Sequence, residues 1–250
     1  MLAWIFLFLP LLGSPEARVQ EANEAASQAE KAATYQERKL ALNRALYLYS
    51  LAGEDFETPP ADLDRAIGDL YDQLEEYPWA ILFYYRALNA NPQDSIAASH
   101  LKKVRKKMGM GVDSPDSELQ NPFISYLKAI SHQNHLVFWL LAITFLTCSF
   151  ALWLPTPWIR KMAAGSSFLL ALLLANSLFF YYFTPIEGIL VASSGFYRSP
   201  DKNEPQLTAH PLLAGSKVTV LQMAEEGNWV KIANSDGLIG YIPAISLRLI

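Results

Sequence analysis

The sequence predicts a multidomain membrane protein with an all-α region, an α-helical transmembrane hairpin and a small all-β barrel. Three observations lead to this fold class. Helical patterns run from position 16 to position 108, two long apolar runs follow, and short alternating segments with tight turns fill the last sixty positions. Although 18% of the chain is charged, the only charged side chains between His135 and Glu187 are Arg160 and Lys161.

Composition excludes several functional classes. The net charge of −4 gives no reason to expect nucleic acid, which favours a basic face. The single cysteine, Cys148, lies in an apolar run, so neither a disulfide framework nor a cysteine-based metal site is expected. His132 and His135 have a spacing that could bind a metal, but without a nearby carboxylate or thiol a pair at the membrane interface is favoured. We find no nucleophile with its base and no phosphate-binding loop, and so predict no enzyme and no cofactor.

Residues 1–17 are predicted to be a signal peptide. The apolar stretch Leu2–Leu12 ends in a Gly-Ser-Pro sequence. Its length is too short for a bilayer of about 30 Å, which takes about 20 helical residues, and an export signal fits better. Because no Lys or Arg precedes the stretch, an uncleaved anchor and a buried helix remain alternatives.

Residues 18–108 are predicted to form an all-α domain, and its most specific pattern is ADLDRAIGDLYDQLEEYPWAILFYYRALNANP at 61–92. This stretch resembles a tetratricopeptide repeat, except that Asp64 replaces the first Trp of the family's pattern. The small side chains of Gly68 and Ala80 would let two antiparallel helices approach closely, with Tyr71 and Tyr84 between them. A generic amphipathic hairpin is the alternative. The packing positions that the resemblance implies are Ile67, Gly68, Tyr71, Ala80, Tyr84, Ala87 and Pro92.

One repeat cannot bury its own apolar face, so the helices expected at 16–52 and 94–108 should pack against it. In this family the first helix of a repeat lines the binding groove. The corresponding positions here are Asp62, Arg65, Asp69, Asp72 and Gln73. Three carboxylates against one guanidinium predict an acidic groove and a partner segment that carries Lys or Arg; ordinary solvated helix residues are the alternative. The basic run at 102–107 could bind anionic lipid, but a solvated helix face is favoured.

The middle of the chain is predicted to cross a membrane twice. Each apolar run is about as long as a spanning helix, and Trp and Tyr lie near the ends of the runs. Arg160 and Lys161 place the loop between the runs in the cytoplasm, and both flanking regions then face the periplasm of a bacterial inner membrane. The predicted segments are a linker at 109–135, transmembrane helices at 136–154 and 162–183, and a cytoplasmic loop at 155–161.

Residues 188–250 are predicted to form the small barrel. Val218 and Val220 alternate with polar residues, Asp236 and Gly237 suit a tight turn, and five short strands in about sixty residues are too few for a sandwich of about 100. The stretches YRSP at 197–200 and GLIGYIPAISLRLI at 237–250 resemble a bacterial SH3-like (SH3b) domain. Three aromatic residues are candidates for its ligand surface, with barrel packing as the alternative: Tyr197, Trp229 and Tyr241.

The order of these segments resembles the BatE-like proteins of the Bat (aerotolerance) group. The resemblance implies a non-enzymatic scaffold of an envelope stress complex in the bacterial inner membrane, with its tetratricopeptide groove docking a partner. The implied partners are von Willebrand factor A-domain membrane proteins, the MoxR-type ATPase system and the lipid bilayer. The alternative function is a cell-envelope binding module whose SH3b domain holds peptidoglycan peptides.

Overall fold

The computed structural model describes residues 15–56, 59–110, 134–153, 158, 165–172, 174–175, 185–223 and 227–250. It divides into two compact units, one that combines Met1–Ser114 with Ile186–Ile250 and one formed by Pro115–Pro185. Most of the predicted signal peptide and most of the predicted linker lie outside the described residues. The helices and the sheet at the two ends of the chain therefore belong to the same unit.

Five helices open the larger unit: α1 Pro15–Lys31, α2 Tyr35–Glu54, α3 Ala61–Gln73, α4 Tyr77–Ala90 and α5 Ser95–Lys107. Local signals explain several of their boundaries. Thr34 and Glu37 form a capping box at the start of α2, in which each side chain accepts a hydrogen bond from the other residue's N–H. Asp94 caps α5 by accepting hydrogen bonds of 3.0 Å from the N–H groups of Ile96 and Ala97.

The first helical hairpin packs through alanines. Ala22, Ala25 and Ala29 of α1 are buried against the face of α2 that carries Ala45 and Tyr49. Small side chains allow the two helix axes to approach closely, and the Tyr49 hydroxyl donates to Asn23 Oδ1 at 2.5 Å. The stretch predicted as helical at 16–52 is thus two helices, because the backbone breaks at 32–34, where the cap of α2 begins.

The second hairpin, α3 and α4, has a glycine at its closest approach. A Cβ placed on Gly68 would lie 2.8 Å from Cε1 of Tyr84, so only glycine leaves room for the buried ring. Tyr71 crosses the same hairpin and stacks on Trp79 and Phe83, at centroid distances of 5.8 and 5.5 Å. The packing of this hairpin therefore rests on one missing side chain and a row of aromatic rings.

The strands are β1 Ile186–Leu190, β2 Lys217–Met223, β3 Trp229–Ala233, β4 Ile239–Pro243 and β5 Leu247–Leu249. They form one antiparallel sheet in the order β4-β3-β2-β1-β5, with a short 3₁₀ helix, Ala244–Ser246, before β5. The core face buries Phe196, Val230, Ile232 and Ile242. Since β4 and β5 are the two edges of this sheet, the structure corrects the predicted closed barrel to a small open sheet.

The long segment between β1 and β2 folds back over the sheet. It pairs with itself at Ser194 and Leu212, and Tyr197 exchanges two backbone hydrogen bonds with Tyr241 on the outer side of β4. Strand β1 ends at Leu190, and the chain from 191 to 200 is irregular apart from isolated bridges at Ser194 and Tyr197. A Cβ on Gly195 would lie 2.6 Å from the Tyr197 hydroxyl, which fits a bend rather than a strand.

The predicted transmembrane hairpin is wrong, and with it the multi-pass inner-membrane location. Helix α6, Asn134–Trp153, covers the first apolar run. The second run is helical at 165–172 and 174–175, and Ser167 Oγ lies 3.2 Å from Thr147 Oγ1. Within the described residues, no helix combines the length and the apolar character that crossing a bilayer requires. Most of the predicted loop at 155–161 lies outside the described residues.

We predict that replacing Gly68 by Ala in the full chain lowers the free energy of unfolding by about 1–3 kcal/mol, because the new methyl group would overpack Tyr84. Gly53→Ala is the matched control in a helix, since its Cβ would meet Leu63 Cδ2 at an ordinary 3.7 Å. The control should be neutral or stabilised by up to about 1 kcal/mol. Thermal and urea unfolding measure both. Equal stability of the two variants would contradict the close approach at Gly68.

We also predict a pH-dependent gain in stability for Asp64→Asn. Burial raises the pKa of Asp64 from 3.8 to about 6, and Arg86 lowers it in part. The folded state thus holds this proton more tightly than the unfolded state, so stability falls as pH rises from about 4 to about 6 and stays lower above that. The variant should be more stable than the native chain at pH 7.5, by at most ~3 kcal/mol, and the difference should vanish near pH 4. A difference that does not change with pH, measured by urea unfolding, would contradict the assignment.

Candidate functional site

The candidate site lies on the helical array, where two open pockets occur. One of about 420 Å³ runs along α1 and is lined by Asn23, Glu24 and Lys31 among other polar residues. The other, of about 290 Å³, lies between α3 and α5 and is lined by Asp69, Asp72, Gln73, His100 and Lys103. We call this second pocket, together with Asp62 and Arg65, the polar groove.

At one end of the polar groove, Arg65 joins α3 to α5. Its guanidinium lies 2.8 Å from Asp62 and 2.5 Å from Asp94, whose side chain is only 4% exposed. Burial alone would raise the pKa of Asp94, but the Ala97 N–H and Arg65 hydrogen bonds outweigh burial and hold that pKa below its usual value. Asp94 is therefore an ionised cap, and Arg65 is held in place rather than free to meet a ligand.

In the middle of the polar groove, the Asp69 carboxylate has two hydrogen-bonding partners, one on α4 and one on α5. The Tyr84 hydroxyl donates to Asp69 Oδ1 at 2.7 Å, and His100 Nδ1 of α5 lies 2.6 Å from the same oxygen. The edge of one ring faces the other, with the centroids of Tyr84 and His100 5.8 Å apart. Burial, followed by the hydrogen bond to Asp69, raises the pKa of Tyr84, so the phenol stays protonated and acts as a donor.

The remaining predicted groove residues also have partners within the chain. Lys107 Nζ forms an ion pair with Asp72. Arg38 Nη2 of α2 donates to Gln73 Oε1 at 3.3 Å. The groove is thus less acidic than the sequence pattern predicts, because cations of α5 and α2 already contact its carboxylates and its amide.

Sequence reasoning missed the residues of α5 that complete the groove. His100, Lys103 and Lys107 are separated by three and four positions, which puts them on one face of a helix. That spacing was available in the sequence. It was hidden because the basic run at 102–107 was treated as one solvated face, whereas its members point in different directions: Lys107 meets Asp72, and Arg105 Nη1 donates to the Tyr85 hydroxyl at 3.0 Å.

The predicted packing residues lie between the helices, whereas the predicted groove residues line the polar groove. Ile67, Ala80, Tyr84 and Ala87 are at most 4% exposed. Pro92 lies half-buried just after α4, in the turn that leads to Asp94. The two predicted sets meet at Tyr84, whose ring packs against Gly68 and whose hydroxyl donates to Asp69 of the groove.

The three aromatic candidates of the sheet form a cluster. The ring of Tyr197 meets that of Trp229 edge to face, at 5.5 Å and 89°. Tyr241 is paired with Tyr197 through the backbone, and Lys231 Nζ lies 6.0 Å from the centre of its ring. All three aromatic side chains are half-buried, so each ring packs on a neighbour and still presents part of its surface. A face of this kind can stack on a flat or apolar group.

Within the described residues, no group of three or more His, Cys, Asp or Glu side chains is placed to hold a metal ion. No family model, curated protein or solved structure matches this chain. The resemblances to tetratricopeptide repeats, to SH3b domains and to the Bat group therefore remain predictions. The contacts described above are what a function has to explain.

Proposed function

We propose that this chain is a non-enzymatic interaction protein whose polar groove docks a segment of a partner protein. The observation that carries the proposal is the open pocket between α3 and α5, since Asp69, Asp72 and Gln73 line it together. These are three of the five residues that the helical pattern assigns to the groove. The residues that line the pocket are all polar or charged, which suits a peptide segment better than a small apolar ligand.

The chemistry of the groove favours a partner segment with Lys or Arg. Asp72 already binds a cation, Lys107, in the geometry that a basic side chain of a partner would adopt. Both side chains of this pair remain partly exposed, at 17% for Asp72 and 35% for Lys107. Exposed ion pairs contribute less than about 1 kcal/mol, so an incoming cation can replace Lys107 at little cost.

The Bat-group resemblance would make the partner a von Willebrand factor A-domain protein or a component of the MoxR-type ATPase system. Recognition through carboxylates would make the complex sensitive to salt and would give a fast association. The groove contacts support the chemical class of the segment.

We predict opposite effects for two variants of the same ion pair. Asp72→Asn should weaken binding of a fluorescent Lys- and Arg-rich peptide by about fivefold, because one carboxylate is lost. Lys107→Gln should strengthen binding by about two- to fivefold, because a competing cation is removed. Fluorescence anisotropy on the full chain, at about 50 and about 300 mM salt, measures both affinities.

Lys106→Gln is the matched control. Lys106 is exposed on the same turn of α5, and its replacement removes the same positive charge as Lys107→Gln. An acidic peptide of equal length controls for nonspecific attraction. If Lys106→Gln strengthens binding as much as Lys107→Gln, the effect is one of net charge and the groove is not the docking site. If neither Asp72 nor Lys107 affects affinity, the proposed function is wrong.

The aromatic cluster of the sheet favours a second candidate function, a cell-envelope module that holds peptidoglycan peptides. Its support is that Tyr197, Trp229 and Tyr241, which are far apart in sequence, lie on one half-buried face. Rings that are fixed by neighbours lose little conformational freedom on binding, which favours recognition of small polar peptides with apolar parts.

For this alternative we predict that peptidoglycan stem peptides change the fluorescence of Trp229, and that Trp229→Leu removes their binding. Tyr35→Leu is the control, because Tyr35 is an aromatic residue that is 73% exposed on α2, outside the sheet. Isothermal titration calorimetry measures the affinities. Binding that survives Trp229→Leu would exclude the aromatic cluster as the peptide site.

A further inference from the structure

Two basic side chains of α5 contact the carboxylates of α3 across the polar groove. His100 Nδ1 lies 2.6 Å from Asp69 Oδ1, and Lys107 forms an ion pair with Asp72. His100 and Lys107 are seven positions apart, which is about two helical turns, so they lie on the same face of α5. Each of these two carboxylates therefore already has a partner on α5.

Lys103 lies on the same face of α5, between these two residues, and has no such partner. It follows His100 by three positions and precedes Lys107 by four, which are the spacings of neighbours on a helix surface. Lys103 is exposed and lines the pocket, and within the described residues its side chain makes no ion pair or hydrogen bond. The fold thus leaves one cation of the pocket unmatched.

The pocket has a second unmatched donor, the side-chain amide of Gln73. Arg38 Nη2 donates to Gln73 Oε1 at 3.3 Å. Because a guanidinium cannot accept a hydrogen bond, the amide oxygen is the atom that faces Arg38. The NH₂ group of the amide has no acceptor among the residues that the structure describes. Gln73 and Lys103 therefore bring two donors to the lining of one pocket of about 290 Å³.

The carboxylates of the pocket, by contrast, already have donors. Asp69 Oδ1 accepts from the Tyr84 hydroxyl at 2.7 Å, and Asp72 contacts Lys107. A ligand group that adds to this pocket without displacing a side chain must therefore bring an acceptor. A carboxylate suits the pocket best, because it is acceptor-only, has two oxygens and carries the charge opposite to that of Lys103.

We propose that Lys103 and the Gln73 amide form a carboxylate subsite of the polar groove, which binds an Asp or Glu side chain of the docked segment. The subsite rests on the proposed function, because the same segment places a Lys or Arg at Asp72 in exchange for Lys107. The groove then selects a segment that carries both signs of charge. A purely basic segment leaves Lys103 unmatched and is repelled by it.

The helix positions fix the spacing of the two charges in the partner. Lys103 and Lys107 are four positions apart on α5, which is about 6 Å along the helix axis. A cation that replaces Lys107 at Asp72 lies at about this separation from the subsite. In an extended segment, side chains two positions apart are about 6.5 Å apart and point to the same side. The expected pattern is Lys or Arg, any residue, and then Asp or Glu, in either direction along the segment.

Two fluorescent peptides that differ in one group test the subsite on the full chain. The glutamate peptide has Lys and Glu two positions apart in an otherwise uncharged sequence, and the glutamine peptide has Gln in place of that Glu. By fluorescence anisotropy at pH 7.5 and low salt, we expect the glutamate peptide to bind about three- to fivefold more tightly, as a partly exposed ion pair would allow. The net charge of −4 would by itself favour the more positive glutamine peptide, so this preference reports a local contact.

Three variants locate the preference. Lys103→Gln should abolish it. Gln73→Glu should reverse it, because the new side chain keeps an acceptor for Arg38 and replaces the NH₂ group by a negatively charged oxygen. Lys102→Gln is the matched control and should keep the preference, since Lys102 is exposed at the adjacent position of α5, is not among the residues that line the pocket and loses the same charge.

Failure of the subsite and failure of the docking function give different results. If Asp72→Asn weakens both peptides but the native chain does not prefer the glutamate peptide, the docking function stands and the subsite is wrong. A preference that survives Lys103→Gln, or that Lys102→Gln also abolishes, overturns the subsite as well. If neither peptide responds to Asp72→Asn, the docking function is wrong and the subsite falls with it.

Discussion

The arrangement of the larger unit depends on the burial of α4 from two sides. Consecutive tyrosines of this helix serve different neighbours. Tyr84 fills the space left by Gly68 and donates to Asp69, while Tyr85 accepts from Arg105 and lies under Lys217 of the sheet. Burial, opposed by Arg105 and assisted by Glu187, raises the pKa of Tyr85 to about 12, so its hydroxyl remains neutral. A helix fixed in this way sets the positions of α3, α5 and the sheet.

This double burial limits which surfaces a partner can use. The sheet covers the α4 face that carries Ile81 and Tyr85, so that face is closed within the chain itself. The polar groove lies on the other side of the hairpin, and its carboxylates are held by Tyr84, His100 and Lys107. A truncation that removes the sheet would uncover apolar parts of α4. Loss of a partner after such a truncation would therefore not show that the partner binds the sheet.

The features that the sequence predicts well are local. The small side chain at Gly68, the aromatic residue at Tyr84 and the turn at Asp236 and Gly237 each act through residues nearby in sequence. The structure has a helical hairpin at the first two positions and a turn between β3 and β4 at the third. The partners of Asp69 and Asp72 come from α5 and were not foreseen, because they depend on how helices pack. The membrane prediction rested on hydropathy, and among the described residues no helix has both the length and the apolar character that crossing a bilayer requires.

Asp64 is a residue at which a local departure from the sequence pattern changes the packing of the core. It occupies the position where the tetratricopeptide pattern has a Trp. The sequence shows this departure from the pattern, but it does not show that the residue is buried. The structure buries the residue, so a carboxyl group stands in a space suited to a large apolar ring. A Trp there would contribute apolar contacts and would not respond to pH, whereas the carboxyl contributes a proton equilibrium near pH 6. The departure therefore places a titratable group, rather than a large apolar ring, in the core of the helical array.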